Sequence, residues 1–192
     1  MTMPRLLAMI PLLLLLSACA TTDQRVTIAP EPPRLEPASL GNAGAVALDV
    51  VDARDDRQLG SIQTLEGPPA SITSSQDVAY ATQLAAATAL SNAGFRPTPW
   101  SDDAEPRLLI QIDHIEHTVG AGVPREVSTE VRLSARAWQQ GRQYSASAES
   151  SVSDTVAIRP SAEANAAAIE TAVTEALRRL MDRKLLEFLA GR

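Results

Sequence analysis

The stretch that most constrains this chain ends at Cys19. Arg5 precedes an apolar run, Leu6-Leu7-Ala8-Met9-Ile10-Pro11 and then Leu12 to Leu16, and the small residues Ser17 and Ala18 lead to the cysteine. A short positive segment, an apolar segment and small residues before a cut site form a secretory signal. The run falls short of the roughly 20 apolar residues that a membrane-spanning helix needs, and Pro11 interrupts its helix hydrogen bonding. Cys19 is the single cysteine, so the exported remainder has no internal disulfide to rely on. Whatever follows must be held by its own apolar core.

Leu16-Ser17-Ala18-Cys19 resembles the lipobox of bacterial lipoproteins. That resemblance implies a thiol carrying diacylglycerol, cleavage just before Cys19, and acylation of the new amine. Small side chains let the cut backbone lie in a protease groove, and a thiol supplies the soft nucleophile for the thioether. Each buried CH₂ contributes about 0.8 kcal/mol, so one chain holds weakly and several hold essentially permanently. The alternative is an ordinary cleavable signal followed by a free cysteine. Losing residues 1–18, with Arg5 the one charge among them, takes the length from 192 to 174 and the formal charge from −6 to −7.

That length suits one domain with a real core. Hydrophobic residues make up 45%, but many are alanine, which predicts a thin core. The six aromatics are Tyr80, Phe95, Trp100, Trp138, Tyr144 and Phe188. An acidic chain with so few rings argues against a nucleic-acid surface and against attraction of the domain to anionic lipid. No second segment is apolar enough to span a membrane.

Three parts follow: a signal over 1–18, a lipidated Cys19 with a Pro-rich tether over 19–43, and a single α+β domain over 44–192. Pro30, Pro32, Pro33 and Pro37 favour an extended tether; alternatively Val26-Thr27-Ile28 lies on the domain as an edge strand. Val46 to Val51 alternates as a strand and runs into Asp52-Ala53-Arg54-Asp55-Asp56-Arg57. Leu59 to Thr73 is either a short hairpin, Ser61 to Leu65 against Ala70 to Thr73, or a mobile loop. A helix is predicted from Gln76 to Ala93, capped by Ser74 or Ser75. Its apolar face would be Tyr80, Leu84, Ala87 and Leu90, and Gly94 would end it in the left-handed conformation. Pro97 and Pro99 stop it resuming.

Three strands are predicted next: Arg107 to Val119, Val127 to Trp138, and one marked by Tyr144, Ala146, Ala148 and Val152. Gln140-Gly141 supplies the tight turn between the last two. A final helix starts near Ser161, pairs Glu175 with Arg179 on its outer face, and bends toward Leu185-Leu186-Glu187-Phe188. The order β-α-β-β-β-α predicts a four-stranded, mainly antiparallel sheet with both helices packed on one face.

The ordered features resemble the YajG family of bacterial lipoproteins. They are the lipobox, the Pro-rich lead, Leu48 to Arg57, Gln76-Asp77 opening a helix that ends Gly94-Phe95, Leu109-Ile110-Gln111-Ile112, Gln140-Gly141, Tyr144-Ser145-Ala146, and Leu186-Glu187-Phe188-Leu189. The resemblance covers nearly the whole chain and carries over one functional residue, Cys19. With Ala20 rather than aspartate after Cys19, it implies the periplasmic leaflet of the outer membrane. The family is largely of unknown function and implies no catalytic residues.

Candidate chemistry downstream is sparse. Asp52, Arg54, Asp55 and Arg57 are a candidate partner-docking edge, or else a solvated strand end with local ion pairs. In His114-Ile115-Glu116-His117, a strand puts His114 and Glu116 on one face and His117 on the other. Zinc needs three or four converging ligands and the chain has no third histidine, so a solvated strand end is expected rather than a metal site. Asp102-Asp103 sits in an acidic loop. No nucleophile elbow, phosphate loop or dinucleotide fingerprint occurs. The expectation is a non-catalytic binding or assembly factor for envelope proteins, without cofactor, tethered to the membrane through Cys19. The alternative is a lipid- or small-ligand-binding module, with a groove between helices and sheet, that aids outer-membrane lipid transport.

Overall fold

A computed structural model describes residues 22–35 and 44–192. Cys19 and the lipobox lie outside the described residues. The element order is β1 (Gln24–Val26), β2 (Ala45–Asp52), β3 (Gly60–Ile62), β4 (Ala70–Ser74), α1 (Val78–Asn92), β5 (Arg96–Pro99), β6 (Arg107–Val119), β7 (Arg125–Gln139), β8 (Arg142–Val156), α2 (Ala162–Leu180) and α3 (Arg183–Leu189).

The four-stranded antiparallel sheet is overturned. All eight strands join one mixed sheet, strongly curled into a half-barrel. The long hairpins are as expected: β6 pairs antiparallel with β7, and β7 with β8 through Gln140-Gly141. Both turn residues have positive φ, 53° and 70°, the twist that suits a two-residue hairpin. The unexpected part is the other edge of β6. There β2 runs parallel along Arg107 to Ile112, and β3 runs parallel along His117 to Val119. One branch continues through β2 to β5, the other through β3 and β4 to β1.

The sequence pattern missed this because β1, β3, β4 and β5 have only 3 to 5 residues, too few for alternation to register. The hairpin option for Leu59 to Thr73 and the edge-strand option near Val26 are both realised. Pro97 and Pro99 do more than stop the helix; they lie in edge strand β5, where a missing N–H is tolerated.

The inward row of β6 is Leu108, Ile110 and Ile112, then Ile115, His117 and Val119. The parity changes because the register slips between Ile112 and His114, leaving Asp113 as an extra, exposed residue. A bulge of this kind shifts every following side chain to the other face.

The helices cover that row. α1 lies against β2 and β5, α2 against β7, β8 and β1, and the two helices touch. Asp77, not Ser74 or Ser75, caps α1, accepting from the N–H groups of Ala79 and Tyr80. The expected apolar face of α1 is also corrected. Ala81, Thr82, Ala85, Ala86, Ala89 and Leu90 are buried, while Tyr80 and Leu84 are exposed. Alanines let this helix approach the sheet closely, and that approach decides which side turns inward. Gly94 has the expected positive φ, 93°. Ser161 caps α2 through the N–H of Ala164. Glu175 pairs with both Arg178 and Arg179 at 2.7 Å. The final helix breaks at Met181, earlier than expected, and Asp182 caps α3 through the N–H of Leu185.

Residues 22–35 are laid onto the domain. Val26, Ile28, Pro30 and Pro33 are buried. The Ala29 N–H donates to Glu170 Oε1 at 2.8 Å and Thr174 Oγ1 donates to the Glu31 carbonyl at 3.2 Å.

Candidate functional site

The predicted docking cluster sits in the fork of the sheet. From Asp52 to Gly60 the chain advances eight residues while β6, from Ile112 to His117, advances five. Three surplus residues must bulge out, and the charged segment is that bulge. Arg54 folds back beneath it. Its Nε and Nη2 donate to the two Asp52 carboxylate oxygens at 2.8 Å each, and Nη1 donates to the Gln58 carbonyl at 3.1 Å. The two side chains are 4% and 9% exposed. Burial pushes the Asp52 carboxyl up, but the Arg54 hydrogen bonds and charge, joined by the Arg57 charge, outweigh it and hold the group below its usual range. Asp52 and Arg54 are therefore occupied with each other, whereas Asp55 and Arg57 stand exposed on the crest.

Two open clefts flank the crest. One, of about 380 Å³, lies between Arg57, Gln58 and the β4–α1 connection at Ser74, Gln76 and Asp77. The other, of about 350 Å³, runs from Asp55 and Asp56 to Asp113, His114 and Glu116. In the second, His114 Nε2 lies 3.5 Å from Glu116 on the outer face, as the alternation predicts.

His117 is not at a solvated strand end. It is fully buried, because the Asp113 bulge brings it into the inward row. Its Nδ1 lies 2.8 Å from Thr129 Oγ1 and its Nε2 lies 3.0 Å from Asn165 Oδ1; Asn165 Nδ2 donates to Gln24 Oε1 at 2.7 Å. An amide oxygen accepts, so Nε2 carries the proton and Nδ1 accepts from the threonine hydroxyl. Burial lowers the His117 pKa, against the raising effect of Asn165, and keeps the ring neutral. This relay ties β6, β7 and α2 to β1. The sequence did hold a signal for it: the spacing from Ile110-x-Ile112 to Ile115-x-His117-x-Val119 changes parity.

Asp102 and Asp103 are exposed, and Asp102 accepts from the Trp100 indole at 3.0 Å. The helix–sheet interface proposed as a ligand groove holds a contiguous buried cluster that includes Leu108, Ile110, Leu133, Ile169 and Leu177. A shallower groove of about 290 Å³ lies elsewhere, between Pro30 and Pro32 and the exposed side of α1 at Tyr80 and Leu84. Among the described residues no helix is long and apolar enough to cross a membrane.

A family model described as an uncharacterized lipoprotein, Lipoprotein_16, matches residues 33–190. Among solved structures, protein XCC0632 from Xanthomonas campestris, of family DUF330, is 18% identical, with 88% of this chain and 94% of that chain covered at a TM-score of 0.50. This likeness shows the fold alone. The PelC dodecamer from Paraburkholderia phytofirmans is 12% identical, with 79% and 92% covered at 0.38. Lipoprotein GNA1162 from Neisseria meningitidis is 14% identical, with 71% and 99% covered at 0.33. Scores of that size do not establish a shared fold. No curated protein matches the chain.

Proposed function

Because the chain belongs to the Lipoprotein_16 family of uncharacterised lipoproteins, we propose that it is acylated at Cys19 and held on the periplasmic leaflet of the outer membrane, where it acts as a non-catalytic binding or assembly factor for an envelope protein. The observation that carries the binding role is the outer edge of β8. This strand has 15 residues, pairs with β7 over its full length, and pairs with no other strand among the described residues. Strands of globular proteins usually run to about 5–6 residues. A long unpaired edge is a template for another chain, and proteins blunt such edges with Pro or charged side chains, Lys above all; β8 contains neither Pro nor Lys, and its charges are Arg142, Glu149 and Asp154. Two contacts blunt it locally, Arg179 Nη1 donating to the Glu149 carbonyl and the Thr155 N–H donating to Asp154 Oδ1, each at 2.7 Å.

Two further features support the same role. Of the two histidines, the residue type best suited to proton transfer near neutral pH, His117 is sealed beneath α2 with both ring nitrogens engaged, and His114 stands at the open second cleft beside Glu116. Asp55 and Arg57 add a charged, exposed rim. The partner chemistry that fits is an extended segment added by β-augmentation. Photo-crosslinkers placed at Ser147 and Ser153 in intact envelopes should capture one discrete protein, and a probe at Ser91 on α1 should not. Recovery of no protein from several β8 positions, with the chain correctly anchored, overturns the proposal.

A further inference from the structure

Three connections meet at one end of the sheet. Ile62 pairs with both Ala70 and Val119, Val119 with Val127, and Arg125 with Val156. The β3–β4 loop, the β6–β7 loop and the segment leading from β8 into α2 therefore lie side by side. Each presents a large apolar side chain to solvent: Leu65 is 84% exposed, Val123 80% and Ile158 79%. They are the three most exposed large apolar side chains among the described residues. The opposite end differs in character, carrying the Gln140-Gly141 turn and exposed Asp102, Asp103 and Glu105.

The chain from the anchor arrives at the same apolar end. Gln24 pairs with Ile72 and β1 runs away from that end. The Ser71 N–H donates to Asp23 Oδ1 at 2.8 Å, fixing where the chain joins the domain. Four peptide steps separate Cys19 from Asp23, a span of at most about 14 Å. An anchor that short cannot let the domain turn over, so the end nearest Asp23 faces the bilayer.

We infer that this end of the domain rests on the phospholipid surface, with Leu65, Val123 and Ile158 inserted at the level of the headgroups. The inference rests on acylation of Cys19 and goes beyond it, since an anchor alone needs no apolar loop tips. Three separate exposed tips add nothing to the core, and an interface of lipid headgroups and acyl chains covers them. The charges nearby are mixed and do not form a basic patch: Glu66, Glu126 and Arg159 are exposed, and Arg125 is turned back to the Gly120 carbonyl at 2.7 Å. The contact is therefore apolar and does not depend on anionic lipid. It also sets the polar end about 45 Å away along β7, pointing into the aqueous space.

The test uses the acylated mature chain in phosphatidylethanolamine–phosphatidylglycerol vesicles. The thioether consumes the only native thiol, so Leu65→Cys, Val123→Cys, Ile158→Cys and Gln140→Cys each carry a single site for an environment-sensitive fluorophore. Spin-labelled lipid with a shallow quencher should quench the three tip labels several-fold more than the Gln140 label, equally at low and high salt. Combining Leu65→Asp, Val123→Asp and Ile158→Asp should lower the quenching of a label at Glu66→Cys several-fold while the short anchor keeps it above the Gln140 level; unchanged quenching at Glu66 overturns insertion of the tips. A chain with the lipid mass and bound to vesicles, but with tip quenching equal to that at Gln140, overturns the inference and leaves the anchor standing. Tip labels shielded by a second copy instead of lipid, seen as crosslinks between copies, also overturn it. A chain without the lipid mass removes the Cys19 reading and this inference with it.

Discussion

Arg54→Ala would open the fork of the sheet. The side chain makes two charge-assisted bonds to Asp52 and one to the Gln58 carbonyl, and the pair is nearly sealed from solvent. Removing one partner of a buried pair costs about 3–5 kcal/mol, because the other charge stays behind uncompensated. Asp52 ends its strand beside the crest, where water can follow the truncation, so the low end, about 3 kcal/mol, is expected. For a domain of this size each kcal/mol shifts Tm by about 2–4 °C, giving a fall of about 6–12 °C. Thermal and urea unfolding of residues 19–192 carrying Cys19→Ser would measure it, alongside Asp52→Asn and the double variant. The double variant should lose less than the sum of the singles.

A pH arm checks the sign. The folded Asp52 pKa lies below its ordinary value of 3.8, so the pair's contribution is present above that value and is lost as pH falls through the lower folded one. In Arg54→Ala, burial is opposed only by the backbone N–H at position 54 and the Arg57 charge, so ionised Asp52 becomes costly to keep folded and the acid-side loss disappears, replaced by a flat or rising stability as pH falls. A cost under about 0.5 kcal/mol, or one abolished by salt, would mean an exposed pair and would refute the fork-closing role.

Two further perturbations probe the interior. His117→Gln should cost about 1–3 kcal/mol at pH 7.5, where a buried relay loses its geometry. Because burial holds the folded His117 pKa below 6.5, wild-type stability should decline as pH drops from 6.5 toward that lower value, and the glutamine variant should lack that segment of the profile; parallel urea curves at pH 5 and 7.5 decide. Gly60→Ala should separate β3 from β6, since a Cβ there would sit 1.9 Å from the His117 carbonyl oxygen with backbone on both sides. About 3 kcal/mol or more is expected, together with fast hydrogen exchange at the Gln63 N–H, which donates to the Val119 carbonyl at 2.8 Å.

Features with a local cause were legible in the chain. Val127 to Trp138 of β7 alternates strictly, so its wet and buried faces followed from side-chain period alone. Gly94, the Gln140-Gly141 turn and the Ser161 cap each satisfy a backbone need within a few residues. The signal expected before Cys19 also rests on a contiguous stretch, which lies outside the described residues.

Other features depend on partners far along the chain. Nothing within Gly60–Ile62 says that it will run parallel to His117–Val119, 57 positions away. Nothing within Asp52-Ala53-Arg54 says that the arginine turns inward, because its reason is the eight-against-five mismatch with β6. The same holds for His117, whose partners Thr129, Asn165 and, through it, Gln24 lie on β7, α2 and β1. The sequence determined by itself the long hairpins and the Gly94 end of α1, because short-range sterics and hydrogen bonding suffice there. Only the tertiary structure decided which charges are spent internally, which edge of β8 stays open, and that Leu65, Val123 and Ile158 share the end where Asp23 joins the domain, because each follows from strand pairings that close loops across the whole domain.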